Sequence, residues 1–304
     1  MRNMKIIVIL GQTSTGKSDF AVEIAKFING EIISADSRQV YKNMDLGSGK
    51  ITKKEMRGIP HHLLDVVSPS KIFSVSDFQK LATQKIDEIF SRERAPIICG
   101  GTGFYIDSII NGTTFPKVPP NKKLRKILDK KSAEQLFEML KKLDKERALN
   151  IDKNNKVRLI RAIEIVQALG KVPPVKDGSL KILPEPSFLK IGLTLPPEIL
   201  KERIKNRLLA RLKKGMINEI DNLHKNGLSW KRMEALGLEY RYGALYIQKK
   251  ISKDEMIQKI NTESWHYAKR QKTWWKRDQN IIWIDPNKEE DKNLALSEIK
   301  KFLK

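Results

Sequence analysis

Five short runs of apolar and β-branched residues punctuate the chain: 4–10 "MKIIVIL", 31–34 "EIIS", 96–99 "PIIC", 189–195 "LKIGLTL" and 281–284 "IIWI". Runs that stay apolar at successive positions suit strands buried on both faces, the situation in a parallel sheet. Between most of them lie segments with helical periodicity, such as "KSDFAVEIAKFI" and "SVSDFQKLATQKIDEIF". Strands alternating with amphipathic helices predict an α/β fold, a parallel sheet flanked by helices. The intervals 116–185 and 206–278 lack strand runs and carry charged helical patterns, so they are expected as helical additions to that core. Pro-rich "FPKVPPN" (115–121) and "GKVPPVKDG" (170–178) mark the borders of the first addition. The expected division is therefore 1–115 core, 116–185 helical insertion, 186–205 core strand and helix, 206–278 second helical region, and 279–304 last strand and C-terminal helix.

The first run leads straight into "GQTSTGKS", which fits G-x-x-x-x-G-K-[ST] with Gly11, Gly16, Lys17 and Ser18 in register. A strand ending in such a loop, followed by a helix starting at Lys17, presents backbone N–H groups and a positive helix end to phosphate oxygens. The core is thus read as P-loop NTPase-like. The motif names a ligand group and not a reaction, because kinases, NTPases and transferases that expel diphosphate can share the cradle. At the end of the second run stand Asp36, Ser37, Arg38 and Gln39. In an open α/β sheet that end faces the ligand crevice. An acid, a hydroxyl, a guanidinium and an amide can together take a proton and read a planar base edge. Two other readings of Asp36 stay open: it holds a magnesium-bound water, or it caps a turn. The third run ends in "GGTG", where Gly100, Gly101 and Gly103 surround Thr102 at the same sheet edge.

Charge changes the picture more than composition does. The formal net charge is +23, and residues 1–110 contribute only +3 of it, with 15 Lys/Arg against 12 Asp/Glu; the other 194 residues contribute +20. A basic field outside the phosphate-loop module attracts a polyanion, and nucleic acid is the usual partner. No window approaches 18 consecutive apolar residues, and the N-terminus runs directly into the first strand, so a soluble, cytoplasmic protein with no membrane partner is expected. The single cysteine, Cys99, excludes an internal disulfide and a thiolate cluster and is read as a small core residue. Arg203, Arg207 and Arg211 recur at four-residue spacing and form one helical stripe. The segment 265–277 "WHYAKRQKTWWKR" interleaves basic and aromatic residues, a composition suited to phosphate contact and base stacking, with most of its tryptophans expected in the core.

In this order, "GQTSTGKS", "DSRQVYKNMDLGSGK", "PHHLLD", "GGTGFY", "VRLIRAIEI" and "YAKRQKTWW" resemble the bacterial tRNA dimethylallyltransferases, or tRNA isopentenyltransferases. The resemblance implies transfer of a dimethylallyl group from dimethylallyl diphosphate to the exocyclic amine of the adenosine 3′-adjacent to the anticodon, with release of diphosphate. It implies Mg2+ as cofactor, tRNA and dimethylallyl diphosphate as partners, action as a monomer, and helical insertions that bind tRNA. Asp36 then resembles the general base and Thr102 its partner in orienting the amine. Gly11, Gln12, Thr13, Ser14, Thr15, Gly16, Lys17, Ser18 and Arg207 match the diphosphate site, with Ser18 at the metal. Asp36, Ser37, Arg38 and Gln39, the segment Val157, Arg158, Leu159, Ile160, Arg161, and Lys269, Arg270 and Gln271 match the tRNA contacts, although positions 159, 160, 163 and 166 also read as the inward face of a helix. His61 and His62 are read as pocket-lining or structural. Gln12, Thr15 and Ser18 stand where the family more often has proline, serine and threonine, Lys153 stands in place of a usual proline, and "ALGLEY" leaves the role of Glu239 open.

A prenyltransferase acting on free adenine nucleotides shares this chemistry but has no need of +20 outside the core. A small-molecule P-loop kinase explains the loop and not "DSRQ" beside "GGTG". A nucleic-acid-binding module without catalysis leaves the phosphate loop idle. If residues 116–278 carry tRNA through its backbone phosphates, tRNA affinity falls steeply with ionic strength while affinity for a small diphosphate changes less, which filter binding across a salt series will measure.

Overall fold

A computed structural model describes residues 4–173 and 188–304. In chain order the first elements are β1 (Ile6–Gly11), α1 (Lys17–Ile28), β2 (Gly30–Ser34), α2 (Lys53–Met56), β3 (His61–His62), α3 (Val75–Ser91), β4 (Ala95–Cys99) and α4 (Gly103–Ile110). Four helices follow, α5 (Lys122–Leu128), α6 (Ala133–Leu143), α7 (Lys145–Leu149) and α8 (Lys156–Leu169). The chain continues through β5 (Phe188–Leu193), α9 (Pro197–Lys213), α10 (Met216–Lys225), α11 (Trp230–Leu236), α12 (Leu238–Ile247), α13 (Lys253–Trp275), β6 (Ile281–Ile284) and α14 (Glu289–Leu303).

The strands form one parallel sheet in the order β3-β2-β4-β1-β5-β6. β1 is buried at every position, and its alternation serves two layers at once. Ile6, Val8 and Leu10 pack with Phe78 and Ile86 of α3, Ile106 of α4 and Trp275 of α13. Ile7 and Ile9 pack with Phe20 and Ile24 of α1 and with Ile299 of α14. This two-sided burial is why the run reads as continuously apolar. Cys99 joins the second layer as a buried core residue.

All five expected strands are present, and a sixth, β3, was not legible in the sequence. It is only two residues long, pairing His61 and His62 with Ile32 and Ile33, too short for any periodicity to register. His62 Nε2 lies 2.6 Å from Oε2 of buried Glu31, which also accepts from Arg92 and Arg94, so this histidine is structural.

From β1 the chain passes through α1 to β2, which lies on the far side of β4, while β5 takes the other flank of β1. Such a switch of direction opens a crevice at the C-terminal ends of the strands. The segment after β2 contributes Val40, Tyr41 and Met44 to a helical core with Met216, Met233, Tyr240 and Ile260 from α10 to α13. The helical region 206–278 is therefore continuous with the sheet in one unit, 1–111 with 181–304. The second unit, 112–180, begins a few residues ahead of the expected 116 and has its own core of Leu128, Leu136, Leu140, Leu159 and Ile163. The expected border at 170–178 falls partly, and the boundary at 185–186 wholly, outside the described residues. Among the described residues no helix is long and apolar enough to cross a membrane.

Candidate active site

The loop after β1 turns through Ser14 and Gly16, both at positive φ (62° and 92°), and Gly16 is the N-cap of α1. No side chain caps α1, so its first-turn N–H groups are left for an anion. Two of the loop side chains matched to diphosphate turn away from it. Gln12 is buried and donates from Nε2 to Ala268 O at 3.1 Å, and Thr15, fully buried, donates to Gln12 O at 2.8 Å. Both build the loop itself, and neither can reach a ligand through its side chain. Lys17 Nζ donates to Gln12 O. Burial pulls the Lys17 ammonium down from 10.5 to about 8, aided by neighbouring Arg207 and opposed by Cys99 and Asp36.

At the end of β2, Asp36 Oδ1 accepts from Arg38 N at 2.8 Å and Gln39 N at 3.3 Å, the bonding of an Asx turn. The turn-cap reading is thus correct for one oxygen. Asp36 also lines a cavity, and Oδ2 takes no hydrogen bond from the described residues. Thr102 is the N-cap of α4 yet makes no cap bond; its Oγ1 accepts from Ser37 N at 3.0 Å instead. That bond ties the GGTG loop to the DSRQ loop. Arg38 reaches Ala235 O at 3.4 Å, and Gln39 Nε2 donates to Gly49 O at 3.3 Å.

The cavity, about 460 Å³, gathers Thr13, Ser14, Gly16, Lys17, Ser18, Asp36 and Gln39 with Arg203, Arg207, Arg211 and Lys214 on and just beyond α9. Of this stripe the resemblance matches only Arg207 to the diphosphate site, yet all three arginines face this space. Arg207 donates to Gly49 O at 2.9 Å and to Thr13 Oγ1 at 3.4 Å. Arg211 donates to Gly47 O at 3.0 Å and pairs with Glu239 at 2.9 Å, which supplies the role left open for that glutamate. Burial, then the charge of Arg211, lowers Arg207 from its usual value. Positive charge thus exceeds negative here, and an anion is the natural complement.

Tyr267 of α13 also lines the cavity and was missed, its aromatic neighbours having been read as core. Burial pushes its phenol up to about 12, with Asp36 adding to the effect, so it stays protonated. The available signal was spacing: Tyr267 and Gln271 lie one helical turn apart on the same face.

The description "IPP transferase" fits a family model matching residues 39–278, well over half of the chain. The chain belongs to the IPP transferase family. Among its relatives, tRNA dimethylallyltransferase 2 of Treponema denticola is 44% identical over 91% of this chain and 95% of its own length. The tRNA dimethylallyltransferase of Acetivibrio thermocellus is 38% identical over 98% of this chain and 97% of its own. The crystal structure of the Bacillus halodurans tRNA isopentenylpyrophosphate transferase superposes with a TM-score of 0.72 at 34% identity, covering 98% of this chain and 97% of that one. A eukaryotic dimethylallyltransferase acting on tRNA gives 0.79 at 27% identity, over 97% of this chain and 78% of the other.

Several residues matched to tRNA have other roles in this IPP transferase. Gln271 is buried; its Oε1 accepts from Thr13 N at 2.8 Å and its Nε2 donates to Gly101 O at 2.8 Å. It is a clip between the phosphate loop and the GGTG loop, and it also lines the cavity. Leu159 and Ile160 are core residues of the second unit, so their side chains cannot contact a ligand. Arg161 donates to Val118 O at 2.8 Å and lies 3.4 Å from buried Glu164, which Arg125 also binds. Val157, Arg158, Lys269 and Arg270 are exposed. Of the tryptophans in 265–275 only Trp275 is fully buried; Trp274 donates to Asp107 at 2.9 Å and Trp265 lies under Lys201 and Lys269.

Gln271→Ala removes both bonds of the clip and leaves Thr13 N and Gly101 O without partners, which costs about 1–3 kcal/mol each when such groups are buried. Lys269→Ala, on the exposed face, should change stability by no more than about 0.5 kcal/mol. Urea unfolding of the two variants gives the comparison, and equal midpoints would remove the clip role.

Proposed function

We propose that this IPP transferase moves a dimethylallyl group from dimethylallyl diphosphate to the exocyclic amine of the adenosine 3′-adjacent to the anticodon in tRNA, releasing diphosphate. One observation carries the reading: a carboxylate with an unengaged oxygen, Asp36, shares a cavity with Lys17 and the α9 cations. Proton acceptor and anion site are then within one substrate's reach. The names of the relatives point to the same acceptor, tRNA. With no helix among the described residues able to span a membrane, the cytoplasm is the compartment in which it would meet tRNA.

The exocyclic amine of adenine is a poor nucleophile because its lone pair is delocalised into the ring. Asp36, its Oδ1 fixed by the turn, offers Oδ2 to take the amine proton as the N–C bond forms, the standard task of a general base. The Ser37 N–H orients Thr102 Oγ1 beside this point. As the allylic C–O bond breaks, its electron pair leaves with diphosphate, and Lys17, the loop N–H groups and Arg207 stabilise the developing charge. Tyr267, protonated, lines the same cavity as Asp36.

Mg2+ fits this donor set. Ser18 is an exposed hydroxyl on the cavity wall next to Lys17, and the described residues contain no cluster of three acidic, histidine or cysteine ligands. Magnesium, which keeps several waters and borrows phosphate oxygens, needs no such cage. Held by Ser18 and by diphosphate, it would neutralise charge on the leaving group.

Incubation with labelled dimethylallyl diphosphate and, in parallel, unmodified tRNA, AMP and ATP tests the assignment. Label in tRNA alone is expected; label in a free nucleotide would shift the reading to the nucleotide prenyltransferases, and loss of ATP phosphate without prenyl transfer to a kinase. In the same assay Asp36→Asn should lower kcat by ~10²- to 10⁴-fold with the KM for the diphosphate nearly unchanged. If saturating magnesium restores the full rate, Asp36 serves the metal and not the proton.

A second expectation concerns pH. Lys17 is charged below its pKa of about 8 and neutral above it, so kcat/KM for dimethylallyl diphosphate, which reports the free enzyme, should decline as pH rises through about 8. A flat profile from pH 7 to 9.5 would show that the lysine charge is not used.

A further inference from the structure

Outside the cavity, on α10, Glu219 makes contacts that no part of the mechanism above uses. Its Oε2 accepts from Asp45 N at 2.9 Å and Leu46 N at 2.6 Å, and its Oε1 accepts from Gly47 N at 2.9 Å and from the Tyr240 hydroxyl at 2.8 Å. Three consecutive backbone amides therefore converge on one carboxylate, the arrangement of an anion-binding nest filled by a side chain. Tyr240 is buried, and burial, then Glu219, raises its phenol well above the usual range, so it remains a donor.

The opposite side of the same loop holds the cavity arginines. Arg211 Nη1 donates to Leu46 O at 3.3 Å and to Gly47 O at 3.0 Å, and Arg207 Nη2 donates to Gly49 O at 2.9 Å. Gly49 is at φ 63°, and a Cβ built there would lie 2.2 Å from Arg207 Nη2, so the guanidinium rests against a position only glycine can fill. Glu219 is absent from the cavity wall, and both arginines are on it. The loop 45–49 is fastened by its N–H groups to Glu219 and grips Arg207 and Arg211 by its carbonyls.

We infer that Glu219 is a positioning residue for the diphosphate site, fixing loop 45–49 so that Arg207 and Arg211 are aimed into the cavity before the substrate arrives. The inference rests on the reading that diphosphate occupies this cavity. Two guanidiniums side by side repel, and they keep one geometry only while the carbonyls that hold them do not move. A carboxylate accepting three amides is a firm anchor because each bond is charge-assisted. Glutamine cannot replace it, since its NH2 group would meet backbone N–H donors in place of an acceptor oxygen.

The test is calorimetric binding of inorganic diphosphate to the full-length protein, beside steady-state kinetics. Glu219→Gln should weaken diphosphate binding by roughly 10- to 100-fold, the range typical of groups that orient direct ligands. The KM for dimethylallyl diphosphate should rise in step, with kcat and the KM for tRNA little changed. Tyr240→Phe keeps the three amide bonds and should alter binding only slightly. Should Glu219→Gln fail to fold, Glu219→Asp, which retains the charge but shortens the reach, carries the test and should show the same selective loss to a smaller degree. Wild-type protein that binds no diphosphate would overturn the reading of the cavity itself. Wild-type binding with undiminished binding by the Glu219 variants, or an equal loss for tRNA and diphosphate, would overturn the positioning role alone.

Discussion

Repulsion among Lys17, Arg203, Arg207 and Arg211 is the constraint around which the cavity is built. Cations drawn into one half-buried space scatter into solvent unless something holds them, and direct carboxylate partners would cancel the charge the site needs. The protein solves this mainly with neutral acceptors. Carbonyls of Gln12, Leu46, Gly47 and Gly49 and the Asn287 side chain take the donor bonds, and among the described residues only Glu239 pairs directly, with Arg211. Carbonyl dipoles orient a guanidinium without neutralising it, so the field at the centre of the cavity stays positive. Burial lowers both Lys17 and Arg207 from their usual values, the cost of holding cations away from solvent.

A second requirement is that three loops from separate strands keep a common geometry. Thr102 Oγ1 links the β4 loop to the β2 loop, and α13 links the β4 loop to the phosphate loop through Gln271 and holds Gln12 at Ala268. One helix face thus carries Ala268 and Gln271 as fasteners and Tyr267 as part of the cavity wall. The direction of this dependence runs from far in sequence to near in space: the phosphate loop at residues 11–18 takes its final shape from residues beyond 260.

That separation also explains what could be read in advance. Local chemistry was legible: β1 from its unbroken apolar run, α1 from its periodicity at 17–28, and the phosphate loop and Asp36 from their motifs at strand ends. Long-range partners were not. Nothing in the spacing of Glu219 announces three amides from residues 45–47, and Gln271 looks, in a basic segment, like one more contact for RNA. Leu159 and Ile160 show the complementary case, since helical periodicity already put them inward and burial in the second unit's core bears that out. Strand β3, with two residues, has no pattern to read.

The depressed basicity of Lys17 has a thermodynamic corollary. Near pH 8 a sizeable share of the molecules carry this side chain as a neutral amine. An anion settling beside it favours the charged form, so occupancy of the loop draws a proton from solution, and departure of the anion returns it. Heat measured for ligand association in that range will contain the ionisation enthalpy of whichever buffer supplies the proton. If the loop takes the diphosphate as proposed, its occupancy is coupled to proton uptake.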